Sequence, residues 1–174
     1  GYGGTGSNSN NTAVGKDALL DITTGGSNVA VGSMAGDALT TGGNNVAIGV
    51  NAIGASTDVD LAIAIGQDAC VSGNMTDAAD GTIAIGYSAL GALTSGQNNT
   101  AIGYQALDAN ATSDYNTALG YQSLSAVNGN GSGVNTAVGW RAGYQITDGQ
   151  YNTVLGASAL YTNNQSDKNV AVGY

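Results

Sequence analysis

"NNTAIGYQAL", residues 98–107, decides the fold, because the chain writes it again as "YNTALGYQSL" at 115–124, "VNTAVGWRAG" at 134–143 and "NNTAVGKDAL" at 10–19. Aligned on the Gly that follows the short apolar run, ten copies are found, at Gly15, Gly32, Gly49, Gly66, Gly86, Gly103, Gly120, Gly139, Gly156 and Gly173. Seven of the nine spacings are 17 residues and the other two are 20 and 19. A fixed period of this length marks a solenoid, in which a coil cannot bury its own apolar face without its neighbours.

The coil is β rather than α. Three residues before the Gly stands a β-branched residue in every copy, from Thr12 and Val29 to Thr153 and Val170, and just before the Gly stands Val, Ile or Leu. These positions are two apart and share one face of a strand. Between them lies Ala in nine copies and Val154 in the tenth, so both faces are apolar or small, as in a parallel strand covered on both sides. The pattern predicts an all-β chain, a parallel β-solenoid of about ten 17-residue coils, with residues 1–174 forming one repeat domain that reads as a segment of a longer fibre. At a strand spacing of about 4.8 Å, ten coils make a rod some 45 Å long.

Past the Gly, a small residue (Ala in eight of nine copies, Ser123 in the other) is usually followed by an aliphatic such as Leu19, Leu90 or Leu107, which reads as a second, shorter strand. Gly36 and Gly143 break that rule, with Leu39 and Ile146 standing three places further on. The rest of each coil is Thr, Gly, Asn, Asp and Ser, a turn vocabulary. The two long spacings put their extra residues into "VSGNMTDAADG" (71–81) and "SAVNGNGSGVN" (125–135), loops expected to protrude from one rim. Asn stands four before the Gly in eight copies, and registered coils would align these amides into a ladder that satisfies turn backbone. Because a roll has one interior, the second apolar face needs a cover. The smooth Ala and Gly face, where backbones approach closely, is expected to meet another copy of the chain.

Composition narrows the function. There are 29 Gly, no Pro, no Phe and no His, and only three basic residues (Lys16, Arg141 and Lys168) oppose 12 Asp, for a formal charge of −9. Phosphate backbones are bound by neutralising them with Lys and Arg, so nucleic acid is a poor partner, as are anionic membrane surfaces. No apolar run approaches a bilayer span, and no basic and apolar signal opens the chain, so Gly1 reads as the start of a mature chain or of a fragment. Both ends, "GY" and "VAVGY", fall at the same point of the repeat, which suits a cut from a longer array or end-to-end stacking of copies.

"AIAIG" at 62–66, "TIAIG" at 82–86 and "NVAIG" at 45–49 resemble the head repeats of trimeric autotransporter adhesins, and "NTAIGYQAL" is similar to repeats in phage tail-fibre shafts and related bacterial surface proteins. The resemblance covers essentially the whole chain. It implies a left-handed parallel β-roll associated as a homotrimer, on a virion surface or outside the cell. The 17-residue period and longer loops depart from the adhesin heads.

Reaction chemistry is sparse. Without His there is no Ser-His-Asp triad and no histidine metal ligand. Asp58 with Asp60, and Asp77 with Asp80, lie in loops without the ligand spacing of a calcium motif and read as solvated acids. Cys70 occupies the aliphatic position of its repeat, a small buried hydrophobe with no basic neighbour. "GYGGTG" at 1–6 follows no strand, opens no helix and lacks the Lys of a phosphate loop. No catalytic residue, cofactor or metal site is expected.

Two surface features remain. The residue after the repeat Gly is aromatic at Tyr87, Tyr104, Tyr121, Trp140 and Tyr174, a stripe whose rings either stack on one another or contact sugar rings. Six sequons, at Asn10, Asn74, Asn98, Asn110, Asn130 and Asn164, are candidate N-glycan acceptors. The leading expectation is a non-enzymatic fibre segment that spaces and presents contact surfaces. The alternative is an adhesin head that binds a cell-surface glycan or matrix protein directly. An ice-binding solenoid is disfavoured, because the β-branched position alternates among Thr, Val and Ile.

Overall fold

The computed structural model describes residues 10–71, 74–76, 79–129 and 133–174. Each copy of the apolar triplet is a strand: β1 (Thr12–Val14), β2 (Val29–Val31), β3 (Val46–Ile48), β4 (Ile63–Ile65), β5 (Ile83–Ile85), β6 (Thr100–Ile102), β7 (Thr117–Leu119), β8 (Thr136–Val138), β9 (Thr153–Leu155) and β10 (Val170–Val172). They form one ten-stranded parallel sheet in chain order, and the described residues contain no α-helix. The molecule is a β-solenoid of about nine turns. Register is repeat on repeat throughout, Thr100 on Thr117 and Ala101 on Ala118. It holds across the long spacings too, with Ile63 on Ile83 and Thr117 on Thr136, so the extra residues are taken up outside the strands.

The coil of Gly103 shows how the remainder is held. Its Thr100 N–H donates to Asn116 and its Leu107 N–H to Ser123 of the next coil, at 2.8 and 3.1 Å, while its Gly103 and Gln105 N–H groups donate back to Ile85 and Tyr87 at 2.8 and 2.9 Å. Turn segments are therefore paired between coils much as strands are, which meets the backbone's demand for partners where no strand exists.

The segment after the Gly is not the second strand that the apolar pattern predicts. Gln105 and Leu107 take φ of 50° and 52°, the Ala106 N–H closes onto the Gly103 carbonyl at 3.3 Å, and the same left-handed pair recurs in the other coils, Asn51 with Ile53 and Gln122 with Leu124 among them. A strand would send the adjacent Ala106 and Leu107 to opposite faces. The alternation of left- and right-handed residues turns both inward, and both are fully buried. At Gly103 the backbone has φ of 138°, and a Cβ would stand 2.4 Å from the Gly120 carbonyl oxygen, so a side chain is excluded twice over.

The strand faces are also the reverse of expectation. The central Ala of the inner strands points into the coil: Ala47, Ala64, Ala84, Ala101, Ala118 and Ala137 have essentially no exposed surface. The interior is narrow: the Leu row of Leu19, Ile53, Leu90, Leu107 and Leu124 shares one core with the inward strand residues, so a small side chain suits that position, with Val154 of β9 the larger exception. The β-branched rows on either side of the Ala face outward. The Ala surface is thus the core of the coil and not a contact face for another copy. A further inward position, three residues past the Leu row, carries Ile22, Leu39, Leu93, Val127 and Ile146. In the coils of Gly36 and Gly143, Leu39 and Ile146 reach into the space left there, 3.0 Å from where a Cβ would stand. Cys70 is buried in the Leu row, and that burial pushes its thiol up to about 12, far from a nucleophilic thiolate.

Candidate functional site

Registered stacking turns single residues into rows, and two outer rows carry chemistry. Tyr87, Tyr104, Tyr121 and Trp140 form a ladder with centroid separations of 5.2, 5.1 and 6.4 Å and interplanar angles of 14°, 8° and 15°. The rings lie face to face, so between Tyr87 and Trp140 the faces are occupied by neighbouring rings. What reaches solvent there is mostly edge, although each residue is 40–47 % exposed. Such stacking contributes about 0.5–1.5 kcal/mol per pair beyond area burial.

Beside the ladder runs a polar row. Gln122 donates its Nε2 to Gln105 Oε1 at 2.9 Å and accepts at Oε1 from Arg141 Nε at 2.9 Å. The Arg141 guanidinium carbon lies 4.7 Å from the Trp140 ring centroid, 5.2 Å from Tyr144 and 5.8 Å from Tyr121. Tyr144 stacks in turn on Tyr161 at 5.1 Å. The sequence reading missed this second pair; the signal was its 17-residue spacing, the same that marks the first stripe.

The Asn row is a ladder, but its rungs are mainly side chain to backbone. Asn28, Asn45, Asn116, Asn135, Asn152 and Asn169 each donate a backbone N–H to the preceding Asn Oδ1 at 2.8–3.1 Å. The Nδ2 atoms of Asn28, Asn45, Asn135 and Asn152 also reach carbonyls of the next turn, as Asn28 does to Gly42 and Asn135 to Gly149, at 2.9 and 2.8 Å. From Asn116 onward amide-to-amide bonds join them, at 2.8–3.3 Å. Ala62 and Thr82 take the Asn place in two coils: Ala62 has no amide to hand on, and Thr82 Oγ1 turns to its own coil's Ala79 carbonyl at 2.8 Å.

The loop acids do similar structural work. Asp60 Oδ1 accepts from the Gly43 N–H, Asp80 Oδ1 from Asp60, Asp114 Oδ1 from Gln97 and Asp167 Oδ1 from Gln150. Asp58 lies near the Thr57 hydroxyl at 3.5 Å, and Asp77 is outside the described residues. Among the described residues no three His, Cys, Asp or Glu side chains gather as a metal site. Burial raises Asp37 and Asp108 above the usual aspartate range. For Asp37, the backbone N–H groups of Asp37 and Ala38 offset part of that cost, and Asp21 and Asp17 add repulsion; for Asp108, the Ser125 hydroxyl opposes the rise. The Asp37 Oδ1 atom is sealed from solvent without a hydrogen-bond partner.

Of the sequons, Asn10, Asn74, Asn98 and Asn164 are exposed and Asn130 lies outside the described residues. Asn110 is a correction. It is fully buried, its Nδ2 donating to the Ser113 carbonyl at 3.0 Å and its Oδ1 accepting from the Ser113 N–H at 2.9 Å, so the folded chain offers no amide there for a glycan.

The last surface is the outer face of the sheet. Its two rows hold Thr, Val or Ile in one and Val, Ile or Leu in the other, without a charged residue in any of the ten strands. Val14 is 57 % and Leu155 49 % exposed. Comparison with protein-family models, curated proteins and solved structures found no match to this chain.

Proposed function

We propose that this chain is a structural segment of a fibre or filament, of the kind that builds phage tail-fibre shafts and extracellular surface filaments. It spaces and presents contact surfaces and associates with further copies of itself as a homotrimer. The observation that carries this reading is the outer sheet face. Twenty side chains, most of them aliphatic and all at least partly exposed, make an apolar patch on the order of 1,000 Å². That is more than the few hundred Å² usual on a monomer and close to one partner's share of a stable interface. Charge favours the same face. The 12 Asp lie outside the strands, so copies carrying −9 each can meet on this face without bringing like charges together. The reading makes the chain a non-enzymatic part of a virion or extracellular surface.

Native mass spectrometry with electron microscopy tests it. Three chains in a finite rod are expected for the parent, and a monomer for Ile48→Lys with Ile102→Lys, which sets two ammonium groups on the face. A parent that stays monomeric at micromolar concentration overturns the self-association. Direct recognition of a glycan is the second reading, favoured by the exposed aromatics that surround Arg141.

A further inference from the structure

The aromatic ladder ends abruptly at its C-terminal side. In the next coil the position after the repeat Gly is Ala157, and the Ser158 N–H donates to the Trp140 carbonyl at 2.8 Å, so the two coils are registered as directly as those before them. One face of the Trp140 indole packs toward Tyr121. The other looks over a residue whose single methyl is far too small to cover it. This is a step in the surface, with a flat ring as its riser.

Arg141, the only arginine in the chain, stands beside that step. Its Nε is committed to Gln122, and the Trp140, Tyr144 and Tyr121 rings hold the guanidinium plane. Neither terminal amino group has a partner among the described residues, and no described aspartate pairs with Arg141, on a chain that carries twelve. A guanidinium fixed at Nε and through its π contacts presents its remaining N–H groups in a preset fork, the arrangement that takes a carboxylate in two parallel hydrogen bonds. A flat indole face beside it suits the C–H face of a pyranose ring.

We propose that Trp140, Arg141 and the step at Ala157 form a binding site for a carboxylated sugar, its ring lying on the free Trp140 face and its carboxylate on the Arg141 fork. Tyr144 and Tyr161 form the flank that holds the guanidinium in place. Neutral sugars lack the group that Arg141 reads, and simple carboxylates lack the ring that Trp140 reads. The site stands apart from the outer sheet face and does not depend on the fibre reading.

Trp140 is the only tryptophan, so fluorescence of the full chain in its native oligomeric state, excited where tryptophan but not the nine tyrosines absorbs, reports on this site. Sodium glucuronate and N-acetylneuraminate are titrated separately, with glucose and acetate as controls. A saturable change is expected with at least one acidic sugar, and which one saturates tells uronate from sialic-acid chemistry. Arg141→Gln should weaken it about tenfold or more, the loss of a charge-assisted pair. Ala157→Tyr is the second variant: it extends the stack with the residue the ladder already uses, so it keeps the fold and should abolish the response by covering the Trp140 face. No saturable change with either acidic sugar, an equal response to glucose or acetate, or a response unaltered in Ala157→Tyr overturns the site.

Discussion

Gly103 and its equivalents concentrate the backbone constraint of each coil in one residue. Gly103→Ala brings a methyl against the Gly120 carbonyl in a conformation that L side chains rarely adopt. The variant is expected to lose roughly 2–4 kcal/mol in chemical denaturation. The left-handed residues beside it were not legible from the sequence, because Leu and Ile are poor choices at φ near 50° and nothing local announces them. They are held there by the core. Two neighbouring side chains, Ala and Leu, must both point inward, and the burial of the Leu offsets a strain of about 1 kcal/mol. Asp37 carries strain of another kind. Its carboxyl is raised mainly by burial, so its protonated form favours the folded state, and stability is lost as pH rises through the raised value toward neutrality. Asp37→Asn is therefore expected to raise Tm at pH 7. In parallel melts, its advantage should shrink as pH falls toward the ordinary aspartate value near 4. An unchanged Tm at pH 7 would show that water reaches this carboxyl.

At the scale of the strand and the ladder, most of the architecture could be read. The ten triplets, their parallel register, the placement of the insertions and the Asn row all followed from one period. The direction of each strand face could not. Hydrophobicity alone favours Val and Ile inside and Ala outside, whereas the narrow interior favours a small inward side chain, Ala in most strands and Val154 in β9. The aromatic stacking was legible as a stripe, but the pairing of Arg141 with Tyr144 was not, since it depends on a turn whose left-handed residues decide where side chains project. The Asn ladder makes its own prediction. Asn116 accepts both the Asn135 N–H and its amide while donating to Asn99, all out of contact with water. Asn116→Ala leaves the Asn135 N–H without that acceptor and is expected to destabilise the chain by about 1–3 kcal/mol, with hydrogen exchange speeding first at Asn135.

For the whole molecule, stability is a sum over neighbouring coils, since each coil touches the one before and the one after. The interface at Ala62 and Thr82 contributes to that sum without an amide rung. Asn11 to Asn45 and Asn99 to Asn169 form two separate ladders on either side of it. The outer sheet face and the aromatic step belong to this scale as well, because neither exists in a single repeat: both are made only when residues 17 apart are brought to strand spacing.

That same register makes length an independent variable. Since each coil repeats the backbone path and pairing of the last, duplicating seventeen codons adds a layer about 4.8 Å thick and leaves the cross-section and its outer face unchanged. A gene of this design sets a distance by counting, and selection can adjust the reach of the finished object in equal steps without redesigning any contact within it.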